Sequence, residues 1–167
     1  EGFDLAIRIA TLDDSSLIAR RLAPIRHVVC ASPDYLAKHG TPLAAADLAD
    51  HAGLVYSNLL DPGLWTYLSP DGQPGQVRVP VRLAASSGDF LMRAGIAGEG
   101  LLLLPTFYVH TALRSGQLRR VLADYRWPEV SAYAVYPPTR HLSNRVRALI
   151  DFLVERLAGE PYWDRME

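Results

Sequence analysis

Apolar residues recur along this chain in short runs, and each run stops at a polar, glycine-rich or proline-rich break. Residues 5–9, Leu5-Ala6-Ile7-Arg8-Ile9, are short enough for a strand and end at the polar, turn-rich residues 11–16. Residues 26–31 read as a second strand. They lead into Ser32-Pro33-Asp34-Tyr35, a helix start with serine at the N-cap, proline at the first helical position and aspartate in the first turn. Gly40 closes that helix, with Pro42 just beyond. Residues 43–51 form a short helical stretch, and Leu54-Val55-Tyr56 a third strand.

Residues 65–68, the turn Ser69-Pro70-Asp71-Gly72 and residues 76–83 predict a hairpin. Val77, Val79, Val81 and Leu83 alternate with Arg78, Pro80 and Arg82, the period of a half-buried strand, and Pro80 assigns that strand to an edge or a bulge. After Ser86-Ser87-Gly88 comes a small-residue helix over 89–98, then a turn and the apolar strand Leu101-Leu102-Leu103-Leu104. Pro105-Thr106 opens a helix over about 107–114 that Gly116 ends. Residues 132–136 form a strand stopped by Pro137-Pro138. Ser143 caps a last helix in which Val146, Leu149, Ile150, Leu153 and Leu157 share one face, with Gly159 and Pro161 at its end. Strands alternating with helices make this an α/β fold.

The 167 residues, 49% hydrophobic, suffice for one domain or two small lobes. The formal charge is −1, Lys38 is the only lysine, and the densest basic spots are the pairs Arg20-Arg21 and Arg119-Arg120. Nucleic-acid binding needs clustered cations along a phosphate backbone, and this chain has no such footprint. Cys30 is the only cysteine, which excludes an internal disulfide and a cysteine-based metal framework; its apolar neighbours predict a buried, inert thiol. No apolar stretch approaches the roughly 20 residues of a membrane span. The chain opens on Glu1 and runs straight into a strand, so it reads as part of something longer, with the cytoplasm as the default location.

Several segments carry a resemblance. Glu1-Gly2-Phe3-Asp4-Leu5-Ala6-Ile7-Arg8-Ile9 is followed by Leu22-Ala23-Pro24, by Val29-Cys30-Ala31-Ser32-Pro33-Asp34-Tyr35-Leu36 and by Asp47-Leu48-Ala49-Asp50-His51. Further on stand Gly95-Ile96-Ala97-Gly98-Glu99-Gly100-Leu101 through Leu104-Pro105, Gly116-Gln117-Leu118 with Val121-Leu122, and Tyr136-Pro137-Pro138-Thr139-Arg140-His141-Leu142-Ser143. In this order, over nearly the whole chain, they resemble the effector-sensing domain of LysR-type bacterial transcription regulators. The resemblance implies a type II periplasmic-binding-protein-like fold of two α/β lobes, joined by two crossing strands, with a ligand cleft between them. Residues 25–31 would cross into the second lobe and residues 132–136 return. Residues 1–30 and 131–160 would make a first lobe, 31–130 the second, and 161–167 a tail.

Against the family's pattern the chain lacks the winged helix-turn-helix and its linker helix. Promoter DNA would then be reached only through that missing N-terminal domain. Also absent is the sensor's opening strand–helix–strand portion, which leaves the first lobe incomplete. The resemblance implies a small-molecule effector, an anionic or aromatic metabolite, and a homodimer or tetramer in the full-length protein. It implies no membrane association.

Candidate contacts follow from the elements and from the resemblance together. Ser86, Ser87 and Gly88 lie between a strand and a helix, where free N–H groups and the positive helix end favour an anion; the alternative is that Ser87 simply caps the helix. Arg8 and Thr11 lie at the end of a strand, where open α/β sheets bind ligands, and Arg8 could hold a carboxylate or pack its stem on the core. Ser32, at the crossing point, and Thr106 with Phe107 complete the lining candidates, although Phe107 also suits a core position. The five histidines show no metal spacing, and no nucleophile elbow, phosphate loop or dinucleotide fingerprint is present. Asp13-Asp14 lies in a turn-rich loop and reads as solvated. Nothing assembles a nucleophile, a base and an orienting group, so no enzyme, cofactor or metal is expected. Two other readings share the architecture: a solute-binding protein of a transporter, and a substrate-binding enzyme domain such as a prephenate-dehydratase-like one. An upstream helix-turn-helix would exclude both.

Overall fold

In chain order the computed structural model contains β1 (Ala6–Ala10), β2 (Ile18–Ile25), β3 (His27–Ala31), α1 (Pro33–His39), a 3-10 helix (Ala45–Asp50), β4 (Gly53–Tyr56), β5 (Leu64–Leu68) and β6 (Pro74–Arg78). Then come β7 (Val81–Ala85), α2 (Gly88–Ile96), β8 (Leu101–Pro105), α3 (Thr106–Arg114), β9 (Arg119–Val121), β10 (Val130–Tyr136) and α4 (Asn144–Arg156). The structure describes residues 4–10, 17–138 and 143–165. The elements divide into two units, one built from the chain's two ends, the other from Arg26–Pro128.

The end-built unit holds an antiparallel sheet in the order β1-β10-β2. Ala6 faces Val135 and Ala10 faces Ser131 on one side of β10, and Val130 faces Ile25 on the other, with a register shift between Ala132 and Tyr133. No strand was expected at β2. Its first half is exposed and carries Arg20-Arg21, and only Leu22, Ala23 and Ile25 are buried, so it has no clean period to read. Arg21 ties β2 to β10 at the surface, its Nε donating to Ser131 Oγ at 2.9 Å. Ser143 caps α4 as expected, accepting from the Val146 N–H, and Val146 and Ile150 are buried. The tail expected from residue 161 onward is instead folded in: Pro161 and Trp163 are buried while Tyr162 stays exposed. Burying an indole removes a large apolar area from water, which is reason enough for this segment to fold back.

In the Arg26–Pro128 unit the sheet order is β7-β4-β8-β3-β9. β4 runs parallel to β7 and β8, whereas β3 is antiparallel to β8 and β9. Both faces are covered, which is why its strands read as continuous apolar runs. Side chains alternate between the faces. Val28, Cys30, Leu54, Leu102 and Leu104 join Leu91, Val109 and Ala112 from α2 and α3. Val29, Ala31, Val55 and Leu101 join Tyr35, Leu48, Trp65 and Trp127 on the other side. Residues 26–30, expected in the first lobe, belong to this unit, because β3 pairs with β8 and β9.

The hairpin forms from β5 and β6, with Leu64 opposite Arg78 and Leu68 opposite Pro74, around a turn where Gly72 takes φ +83°. The predicted strand over 76–83 is in fact two. Pro80 has no N–H for a ladder, so β6 ends before it and β7 begins after it, pairing in parallel with β4. Pro80 still contributes its carbonyl, which accepts from the Gly53 N–H at 2.7 Å.

Candidate functional site

Because β4, β7 and β8 are parallel, their C-terminal ends lie along one edge of the sheet, where open α/β sheets place their ligands. Tyr56 is level with Ala85, and the Ser57 N–H donates to Ala85 O at 3.0 Å, so the loops leaving β4 and β7 start side by side. β7 runs through Ser86 and Ser87 into α2, and β8 runs directly into α3. Two helix starts therefore share this edge.

Ser86 is exposed. Ser87 is the N-cap of α2: its extended backbone lets Oγ accept from the Phe90 N–H at 3.3 Å. Gly88 opens the helix under the ring of Tyr108, and a Cβ there would lie 2.5 Å from that ring. No side chain fits between them. Phe107 is half-buried and packs on Tyr108 with ring centroids 4.5 Å apart. Thr106 is buried and ties the edge to β3, its N–H and Oγ1 both directed at Arg26 O, at 2.9 and 3.3 Å.

His27 stands opposite Pro105 at the same edge. Its Nδ1–H donates to Pro128 O at 2.7 Å. Burial lowers its pKa and outweighs the carbonyl's pull in the other direction, so the ring stays neutral around pH 7. Asp89, in the first turn of α2, is paired with Arg93 at 2.8 Å. That carboxylate already answers the positive end of the helix, so the edge offers hydroxyls, amides and aromatic faces more than net positive charge.

The structure thus brings Ser86, Ser87, Gly88, Thr106 and Phe107 together, and adds Tyr56, Ser57, His27 and Tyr108, which sequence reasoning missed. Nothing local signals these four, since strand pairing and helix packing bring them there. Ser32 is at the opposite end of the sheet, because β3 runs against β8; the five residues of β3 put it about 17 Å away. It is buried there as the N-cap of α1, accepting from the Tyr35 N–H at 3.2 Å. Arg8 belongs to the other unit, exposed in β1 opposite Tyr133. Thr11 lies outside the described residues.

Cys30 is wholly buried, and burial pushes its thiol up to about 12, so it offers no nucleophile at neutral pH. Among the described residues no three His, Cys, Asp or Glu side chains gather as a metal site, and no helix is long and apolar enough to cross a membrane. What the edge offers chemically is the exposed Ser86 beside the stacked rings of Phe107 and Tyr108.

The LysR substrate binding domain family model matches residues 1–158. The HTH-type transcriptional regulator CrgA of Neisseria meningitidis serogroup C is 37% identical over 157 residues, covering 93% of this chain and 52% of CrgA. The solved CrgA regulatory domain superposes with a TM-score of 0.80 at 37% identity, over 92% of this chain and 75% of that one. Full-length AphB, a Vibrio cholerae virulence activator, superposes with a TM-score of 0.81 at 29% identity, over 93% of this chain and 52% of AphB. This chain spans about half the length of the curated relatives it matches. Its two-unit α/β structure is the type II periplasmic-binding-protein-like fold of LysR regulatory domains, and the chain belongs to the LysR substrate-binding domain family.

Proposed function

We propose that this chain is the effector-sensing part of a LysR-type transcription regulator and that a small molecule engages the edge formed by Ser86, Ser87, Gly88, Thr106 and Phe107. One observation carries the reading: in a family of regulatory domains, the ends of three parallel strands and the starts of two helices converge on one edge that also presents the exposed Ser86 and aromatic rings. The edge favours an effector with a planar or apolar body and a hydrogen-bonding head. A carboxylate head is compatible, although Asp89 reduces the gain from the helix end. Ser32 is left out of the proposed contacts because its hydroxyl already serves α1.

The two units are read as the partial first lobe and the second lobe of the sensor. In the longer protein, effector binding would shift the equilibrium between lobe arrangements, and that shift would change how a dimer or tetramer presents its DNA-binding heads in the cytoplasm. Only a difference in affinity between the two states can drive such a change.

The test is a thermal-shift screen of the 167-residue chain against carboxylates, aromatic acids and amino acids, repeated on the Ser86→Ala variant. A ligand specific for the folded state adds about 2.7 kcal/mol at a hundredfold excess over Kd. The proposed edge requires that Ser86→Ala weaken any hit. A hit unchanged by that substitution would move the site elsewhere, and an intact protein that bound no promoter DNA would sink the regulatory reading.

A further inference from the structure

A strand at the rim of a sheet leaves one row of backbone N–H and C=O groups without a ladder, and proteins blunt such edges with proline, charge or shortness. Three edges of this chain's two larger sheets follow that rule. β2 carries Arg20-Arg21 and Pro24, β7 starts directly after Pro80 and carries Arg82, and β9 has three residues, two of them arginine. β1 departs from it. It closes its sheet with β10 on one side and, among the described residues, no strand on the other. Its five residues are all exposed and include no proline, glycine or lysine, and Arg8 is its one charge.

Alternation along β1 puts Ile7 and Ile9 on one face and Ala6, Arg8 and Ala10 on the other. Extended by the two residues before it, the same period adds Leu5 to the first face and Asp4 to the second. Ile7 and Ile9 are 52% and 47% exposed, although the residues opposite them on β10, Ala134 and Ala132, are buried. Large apolar side chains therefore reach solvent on the same strand that has an open row of backbone groups.

We propose that β1 pairs with β1 of a second copy of this chain, antiparallel about a twofold axis at Ile7. Charge complementarity selects that partner and that register. With Ile7 opposite Ile7 of the partner subunit, Leu5 faces Ile9 of the partner subunit, so one face is apolar without a break. On the other face Ala6 stands opposite Arg8 of the partner subunit. Each Arg8 then lies diagonally beside Asp4 of the partner subunit, within reach of a long side chain.

Moving the axis to Arg8 would set two guanidinium groups directly opposite each other, and a parallel in-register pairing would stack them side by side. Like charges so placed are destabilising. The twofold at Ile7 avoids this, turns the one charge of β1 into two cross-copy attractions, and closes the contact at two copies. A contact of one short strand is small beside the roughly 1,200–2,000 Å² of a stable interface, so the dimer is weak and depends on concentration.

Sedimentation velocity of the 167-residue chain, from about 1 µM to about 1 mM, is expected to show monomer giving way to dimer. Asp4→Arg and Arg8→Asp should each weaken dimerisation about tenfold, because each turns both diagonal attractions into repulsions. The variant carrying both substitutions should recover the parent's association. Asp4 and Arg8 of one strand lie about 13 Å apart, so that recovery reports contact between copies. Ile7→Lys places two ammonium groups at the axis and should abolish the dimer. All three positions are exposed, so the variants keep the fold. The proposal is overturned if the chain stays monomeric over the whole range, if either charge reversal leaves association unchanged, or if the double variant fails to recover it.

Discussion

Replacing Tyr35 with phenylalanine removes one oxygen from the interior of the Arg26–Pro128 unit and keeps the ring. That ring is 2% exposed and sits in the same core cluster as Leu48 and Val55. The oxygen accepts from the Ala52 N–H at 3.0 Å and lies 3.1 Å from His51 Nδ1, so its loss leaves two polar groups without their partner. A fully buried orphan of this kind costs about 1–3 kcal/mol. Ala52 is only partly buried and His51 borders a cavity, so water reaches both and each cost falls toward the lower end. Together they predict a loss of about 2 kcal/mol. The stacking of Tyr35 on His39, centroids 4.5 Å apart at 25°, survives in the variant and removes ring packing from the comparison. For a unit of this size the change is a fall in Tm of roughly 10 °C. Urea denaturation followed by tryptophan fluorescence reads it directly, since Trp65 and Trp127 pack edge-to-face in this unit, with Trp163 in the other. A loss below about 0.5 kcal/mol with an unchanged denaturant slope would refute the reasoning, because it would mean that the hydroxyl's two contacts contribute nothing beyond what water supplies.

Other outcomes can be checked on the same material. Gly88→Ala forces a Cβ against the Tyr108 ring, so it should cost about 1–3 kcal/mol in chemical denaturation and also weaken any ligand found for the effector edge. His27 and His51 both have pKa values lowered by burial, so between the folded values and about 6.5 the unfolded chain binds more protons than the folded one. Stability should therefore fall as pH drops through and below about 6.5, and His51→Gln should flatten that dependence; a midpoint rising with acidity would reverse the assignment. The Cys30 thiol should resist a disulfide reagent in the native protein and react promptly once urea unfolds it, so rapid native labelling would contradict its burial.

Much of this architecture was legible because its causes are local. Ser32, Ser87 and Ser143 each cap a helix through a hydrogen bond to a backbone N–H three residues on, and that spacing is written in the chain. The apolar runs at β3, β4 and β8 showed strands covered on both faces, and Gly72 marked the hairpin turn. What the sequence could not contain was the partner of each strand. β2 and β9 are short of apolar signal and exist because β10 and β3 offer them ladders. Pro80 looked like a flaw in one strand, yet it separates two strands that belong to different sheets. The direction of β3 took Ser32 to the far end from Thr106, and packing of α3 on α2 set Tyr108 over Gly88. In the same way, Tyr35, His51 and Ala52 meet through tertiary folding. Caps, turns and burial patterns depend on neighbours a few residues away, so the sequence determined them. The candidate edge is made by residues far apart in the chain, and only strand order, strand direction and helix packing could decide where they converge.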